Sequence, residues 1–247
     1  MKFDFKLAPI KYDVEKIYHF LNPDEEDWNW SRYIKNCYSE LNKMDSKEKI
    51  KKILIKVREE NKKKLQDKLF NYKKEFEKIS NKIISEFKEI LEINAIKTHK
   101  IDILISLSPI NPYNLEKKEF SVYWNFPIKD MIAISIHEIF HFIYFEKWRE
   151  IFPKTTIKDF EPPSLIWHLS ELVVPAALND KKIQNVFKYL HRTYEEYTKR
   201  RINKKSINKK SINEIILDLY SKKRPFSLFI KEAYNFVLKH EKEIQKV

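Results

Sequence analysis

From Met131 to Phe145 nearly every side chain is apolar, yet His137, Glu138 and His141 stand in the middle of the run. A helix that is apolar all round has to be buried, so the fold must be built around this segment. His141 lies roughly 40° around a helix axis from His137, and Glu138 lies roughly 60° from His141 on the rim of the same face. Burying two imidazoles and a carboxylate costs on the order of several kcal/mol unless something satisfies them. A cation shared by the two imidazoles does so directly. The competing reading is a pair of hydrogen-bonded core histidines, since Ser135 and the Tyr144 hydroxyl are the only other polar groups in the run.

The spacing is that at which two neutral imidazoles hold Zn²⁺ while the adjacent carboxylate takes a proton from the water the metal activates. A catalytic zinc site has three protein ligands and one open position. The same helix cannot supply the third, because Glu146 projects roughly 180° away from His137. The longer three-histidine motif is excluded: Tyr144 stands where its glycine would be and Lys147 where its last histidine would be. Glu171 is the best candidate, within the mostly apolar stretch Ile166–Pro175. The interval from His141 has room for a turn and an antiparallel return. A surface carboxylate is the alternative for Glu171, made less attractive by Leu172, Val173 and Val174. His168, one helical turn before Glu171, is a replacement ligand, a supporting partner of a ligand, or a donor to an oxyanion; the supporting roles are preferred. Tyr144, Tyr194 and Tyr197 are weaker oxyanion-donor candidates.

Composition narrows the remaining possibilities. The net charge of +13 invites a nucleic-acid or other anionic partner. Only seven of the 49 basic residues are arginine, and no basic run is interleaved with aromatics as a stacking platform requires, so nucleic-acid binding is disfavoured. The chain contains no glycine, which excludes recognisable Walker and dinucleotide-binding loops. It also predicts that positive-φ positions fall to Asn and Asp. The single cysteine, Cys37, forms no internal disulfide and reads as a small core residue. No signal-like apolar segment and no membrane span is visible, so a cytoplasmic protein is expected.

Along the chain, Lys2–Leu7 alternates as a strand and Asp13–Leu21 reads as a helix. The aromatics Trp28, Trp30, Tyr33 and Tyr38 read as helix-packing core. Ser46 to Ile93 carries an amphipathic helical stripe with a break between Arg58 and Lys64. Ile101–Leu107 and Phe120–Phe126 alternate as strands, ended by Ser108-Pro109 and Pro127. Pro163 suits the first turn of a helix running from Ser164 to Leu178. Helices are expected at Ile183–Arg200 and Phe226–His240. The repeat at 202–213 reads as a low-complexity insertion. The fold class expected is α+β, predominantly helical, with a small sheet preceding the histidine-bearing helix. The expected divisions are 1–64, a core at 65–180, and 181–247.

His137, Glu138 and His141 among uncharged flanking positions, and Glu171 more loosely, resemble the zincin metallopeptidases, in particular the gluzincin group. The resemblance covers roughly residues 65 to 180. It implies a backing helix, a small sheet whose edge strand (here Phe120–Phe126) pairs with an extended peptide, zinc held by His137, His141 and Glu171, and Glu138 as general base. It implies a zinc-dependent peptidase acting on peptide or protein substrates. Pro175 departs from the group, in which many members carry an acidic residue at that position to orient a histidine. Two other classes stay open: a non-catalytic helical metal-binding or interaction protein, and a binder of anionic partners through the lysine-rich helices.

Overall fold

The computed structural model describes residues 1–22, 30–42, 44–202 and 210–245. The fold is mixed α and β, mostly helical, with one small sheet. The chain forms two compact units, each drawn from two stretches of sequence: Met1–Lys78 with Thr98–Glu138, and Ile79–Lys97 with Ile139–Val247. Two long helices, Lys62–Ile90 and Ile128–Ile151, each contribute residues to both units.

The first unit holds the sheet. Its strands are β1 (Lys2–Leu7), β2 (Lys100–Ser106), β3 (Tyr113–Asn114) and β4 (Glu119–Tyr123), in the order β1-β2-β4-β3. β1, β2 and β4 are parallel and β3 is antiparallel to β4. The register puts Phe3 beside Ile101 and Phe5 beside Ile103, and sets Ile103 and Ile105 against Phe120 and Val122. Side chains alternate faces along a strand, so these residues make one apolar face. The rings of Phe3 and Phe5 meet Phe76 and Tyr72, each at 5.2 Å between centroids. Those two belong to α4 (Lys62–Ile90), whose fully buried residues include Tyr72, Phe76, Ile83 and Phe87, one stripe at helical spacing.

The opposite face of the sheet receives α1 (Ile10–Leu21), which buries Val14, Ile17 and Leu21. With them it buries Asp13, whose Oδ1 accepts from Ser106 Oγ (2.6 Å) and the Leu107 N–H (3.1 Å) at the end of β2. Asp13 Oδ2 accepts from Arg58 Nη2 (3.0 Å), on α3 (Lys47–Glu60), and Arg58 also donates to the Ala8 carbonyl (2.5 Å). A short helix, α2 (Ser31–Cys37), precedes α3. Ser46 caps α3 by accepting from the Lys49 N–H, and the expected break before α4 falls at Asn61. Cys37 is exposed and is not a core residue: it is the last residue of α2, whose buried positions, Ser31 and Ile34, lie in the turns before it. Of the expected aromatic core group, Tyr38 is buried and donates to the Leu107 carbonyl (2.6 Å), Tyr33 is exposed, and Trp28 lies outside the described residues.

The second unit is helical: the ends of α4 and α5 (Ile128–Ile151), then α6 (Leu165–Leu178), α7 (Lys181–Val186), α8 (Glu195–Lys199), α9 (Ile212–Ser221), α10 (Phe226–Lys239) and α11 (Glu241–Ile244). Aromatic rings fill its core, with Phe140 against Phe87 (5.4 Å) and Tyr144 (5.8 Å), and Phe145 stacked on Phe160 (4.2 Å). Among the described residues nothing pairs with the Tyr144 hydroxyl, which is sealed from solvent. Burial pushes that phenol far above its ordinary range. A buried hydroxyl without a partner forfeits its hydration for nothing. Tyr144→Phe is therefore expected to raise stability by about 1 kcal/mol, read as a higher urea midpoint; a lower midpoint would show that the hydroxyl is used.

Several expectations are corrected. Ile183–Arg200 is not one helix: α7 and α8 flank an extended stretch. Two side-chain amides hold it open. Asn179 donates to the His191 carbonyl (2.7 Å) and accepts from its N–H (3.0 Å), while Gln184 donates to the carbonyls of Leu178 (2.8 Å) and Tyr189 (2.7 Å). Pro163 lies one residue outside α6, because Ser164 is the cap and accepts from the Trp167 N–H (3.0 Å). Of the insertion, 203–209 lie outside the described residues, while Ile212 opens α9 behind a Ser211–Glu214 capping box. Among the described residues the positive-φ positions are Met44, Glu92, Lys118 and Lys223, not Asn or Asp. At Glu92 (φ 53°) the reason is visible: the N–H of Ile93 bonds to Lys88 and that of Glu92 to Glu89, the paired closure of a helix end. Unbranched side chains tolerate that cost when the closing bonds repay it.

Candidate metal centre

α5 carries the apolar run. Within it Ser135 is satisfied locally, donating to the Met131 carbonyl (2.8 Å) and pairing with the Tyr72 hydroxyl. His141 is fully buried, Glu138 is 8 % exposed, and His137, one turn before His141, is half-buried. α6 is capped by Ser164 and buries every residue from Ile166 to Leu178, Glu171 among them at 6 % exposure. Glu171 Oε1 stands 3.2 Å from His141 Nε2. One ligand atom from each of His137, His141 and Glu171 lies within 4.8 Å of the others. Tetrahedral coordination with bonds of about 2.1 Å spaces ligand atoms roughly 3.4 Å apart, so the His141–Glu171 pair is already at that spacing. Two imidazoles and a carboxylate suit zinc. The group can hold a metal ion.

Pro175 bears on how the backbone of Glu171 is held. A proline has no N–H, so it cannot bond the carbonyl four residues before it. That carbonyl is Glu171's own, and the Thr193 hydroxyl donates to it (3.2 Å). The extended stretch between α7 and α8 places Thr193 there. Glu171 is thus tied through its backbone.

His168 is outside the ligand group, although it shares the helix face of Glu171. Its Nδ1 is 2.5 Å from the Tyr197 hydroxyl. Burial lowers the His168 imidazole to about 4, with the Glu171 charge opposing. Glu146 accepts from the Lys97 N–H (2.7 Å) and takes no part in the group, as its angle on the helix predicts. Tyr144 is sealed in aromatic core and cannot reach a substrate; Tyr197 reaches His168; the Tyr194 ring is tilted against Trp167 at 6.2 Å. Two contributors were not foreseen. Thr193 was signalled by Pro175, which frees a carbonyl in advance. Tyr12, on α1, carried no signal: its phenol is raised by burial first, with Glu119, Asp13 and Glu138 adding to the effect through their charges.

The strand expected to pair with an extended peptide is not an edge. β4 ends at Tyr123 and lies between β2 and β3. Beyond β3 its outward N–H groups are taken as well, Ser121 by the Pro112 carbonyl (3.3 Å) and Tyr123 by the Asn111 side chain (2.8 Å). A substrate backbone finds no open donors there.

Glu171→Ala removes one of the three groups that could hold a metal ion and unties none of the backbone bonds. Zinc affinity is expected to fall about 100-fold or more, since even outer-shell losses cost 10- to 100-fold. Competition titration against a chromophoric chelator reads the change, and unaltered affinity would remove Glu171 from the site. Comparison of the chain with protein-family models, curated proteins and solved structures finds no match. No helix among the described residues is long and apolar enough to cross a membrane.

Proposed function

We propose that this protein is a zinc-dependent peptidase in which His137, His141 and Glu171 hold the metal and Glu138 is the general base. The observation that carries the reading is the convergence of His137, His141 and Glu171 within 4.8 Å, with Glu138 next to His137 on the same helix. When bound, zinc supplies Lewis acidity and brings the pKa of water close to neutrality. Glu138 takes the proton of the attacking water and returns it to the leaving amine. Its burial keeps it out of bulk water. His168 stands one turn from Glu171 as a neutral hydrogen-bonding group for the substrate carbonyl. Substrates are peptides or proteins presenting an accessible main chain.

The order of elements agrees with this reading. A long helix backs the sheet, the sheet precedes α5, and the glutamate comes from the next α-helix. The test is hydrolysis of a set of unstructured peptides by the zinc-loaded protein, paired with Glu138→Gln. Wild-type hydrolysis that the variant loses supports the assignment. Stoichiometric zinc with no hydrolysis of any peptide would leave a metal-binding protein that is not a peptidase.

A further inference from the structure

The environment of His168 fixes more than its position. Its Nδ1 and the Tyr197 hydroxyl form a bond of 2.5 Å, and both residues are buried. Tyr197 Oη has no other hydrogen-bond partner among the described residues. If Nδ1 carried the proton and donated, the phenol would accept, and its own O–H would be left buried without an acceptor. That arrangement forfeits the hydration of the hydroxyl with nothing in return. The opposite arrangement satisfies both groups: the phenol donates, Nδ1 accepts, and the proton of the neutral ring sits on Nε2. Burial holds the phenol protonated, in keeping with its role as donor. Among the described residues nothing bonds His168 Nε2, and it is not among the sealed polar atoms that lack a partner, so it meets solvent. The N–H it presents stands on the face of α6 that carries Glu171.

We infer that Tyr197 is a positioning residue for His168, locking the imidazole as the Nε2–H tautomer so that it offers an N–H donor to the carbonyl of a bound peptide. The catalytic consequence rests on the peptidase reading; the tautomer does not. Tyr197 sits on α8, and the Asn179 and Gln184 side chains that hold the preceding stretch extended bring it to α6.

The experiment is ¹⁵N NMR of the histidine rings in the full-length zinc-loaded protein, with the His168 signals assigned by their disappearance in His168→Asn. Wild type is expected to show a protonated Nε2 and an unprotonated, accepting Nδ1 at pH 7.5. Proton on Nδ1 in wild type overturns the inference without any further variant. Tyr197→Phe keeps the ring and removes the hydroxyl, and the His168 signals should then move toward a mixture of tautomers. Zinc stoichiometry should be unchanged. With a hydrolysed peptide in hand, kcat should fall about tenfold, the worth of one hydrogen bond, while KM changes little. A tautomer unmoved in Tyr197→Phe would deny the positioning role. Absence of hydrolysis in wild type would sink the peptidase reading and leave the tautomer result standing.

Discussion

Replacing Glu138 by glutamine is expected to leave zinc bound while lowering kcat/KM for peptide hydrolysis about 1,000-fold. The amide has the size and shape of the carboxylate it replaces, so α5 should keep its packing. It cannot accept a proton at any ordinary pH. Glu138 is not in the group of three that can hold a metal, so the ligand set is untouched. No nearby group replaces it well: Glu171 belongs to the ligand set, and His168 has its Nδ1 committed to Tyr197. A loss of this size is about 4 kcal/mol of barrier, inside the range for one general base. Metal content and initial rates on the same sample separate the two claims. Full metal with a near-wild-type rate would remove Glu138 as the base.

The two sides of the site differed in how legible they were. His137, Glu138 and His141 could be placed because a helix fixes angles from sequence spacing alone, and α5 is a regular helix across them. Glu171 was reachable because an apolar helix has no reason to carry a carboxylate in its middle. What surrounds Glu171 was less readable, since Thr193 and Tyr197 arrive on a stretch whose helical spacing is overridden. Asn179 and Gln184 offer their amides to that backbone, and a side-chain bond to a main chain across a turn leaves no periodic trace. The same limit hid the edge of the sheet. Phe120 to Phe126 alternates as a strand should, but alternation says which face is buried, not which neighbour takes the outward N–H groups. Asn111 and Pro112 take them. Positive φ is hard to place in a chain without glycine for a related reason: intrinsic tolerance ranks residues one at a time, whereas at Glu92 the closing bonds of α4 decide.

Asp13→Ala is expected to destabilise the protein by about 3–5 kcal/mol at pH 8, the cost of removing one partner from a buried charged pair. The carboxylate is fully buried and satisfies Ser106 Oγ, the Leu107 N–H and Arg58 Nη2 together. With alanine, those donors at the junction of α1, α3 and β2 lose their acceptor. The pH dependence gives a second, sharper reading. Burial pushes the Asp13 carboxyl up to about 7, with Ser106, Arg58 and Leu107 pulling the other way. The folded value therefore lies above the unfolded value of about 3.9. A carboxyl raised in this way contributes its full stability below the unfolded value and loses it as pH climbs to the folded one. Between pH 5.5 and pH 8 the contribution falls by about 2 kcal/mol. Urea unfolding of wild type and Asp13→Ala at both pH values cancels the groups they share. The penalty of the substitution should be larger at pH 5.5 than at pH 8. Equal penalties would mean that Arg58 and the two hydrogen bonds outweigh burial and hold Asp13 ionised throughout.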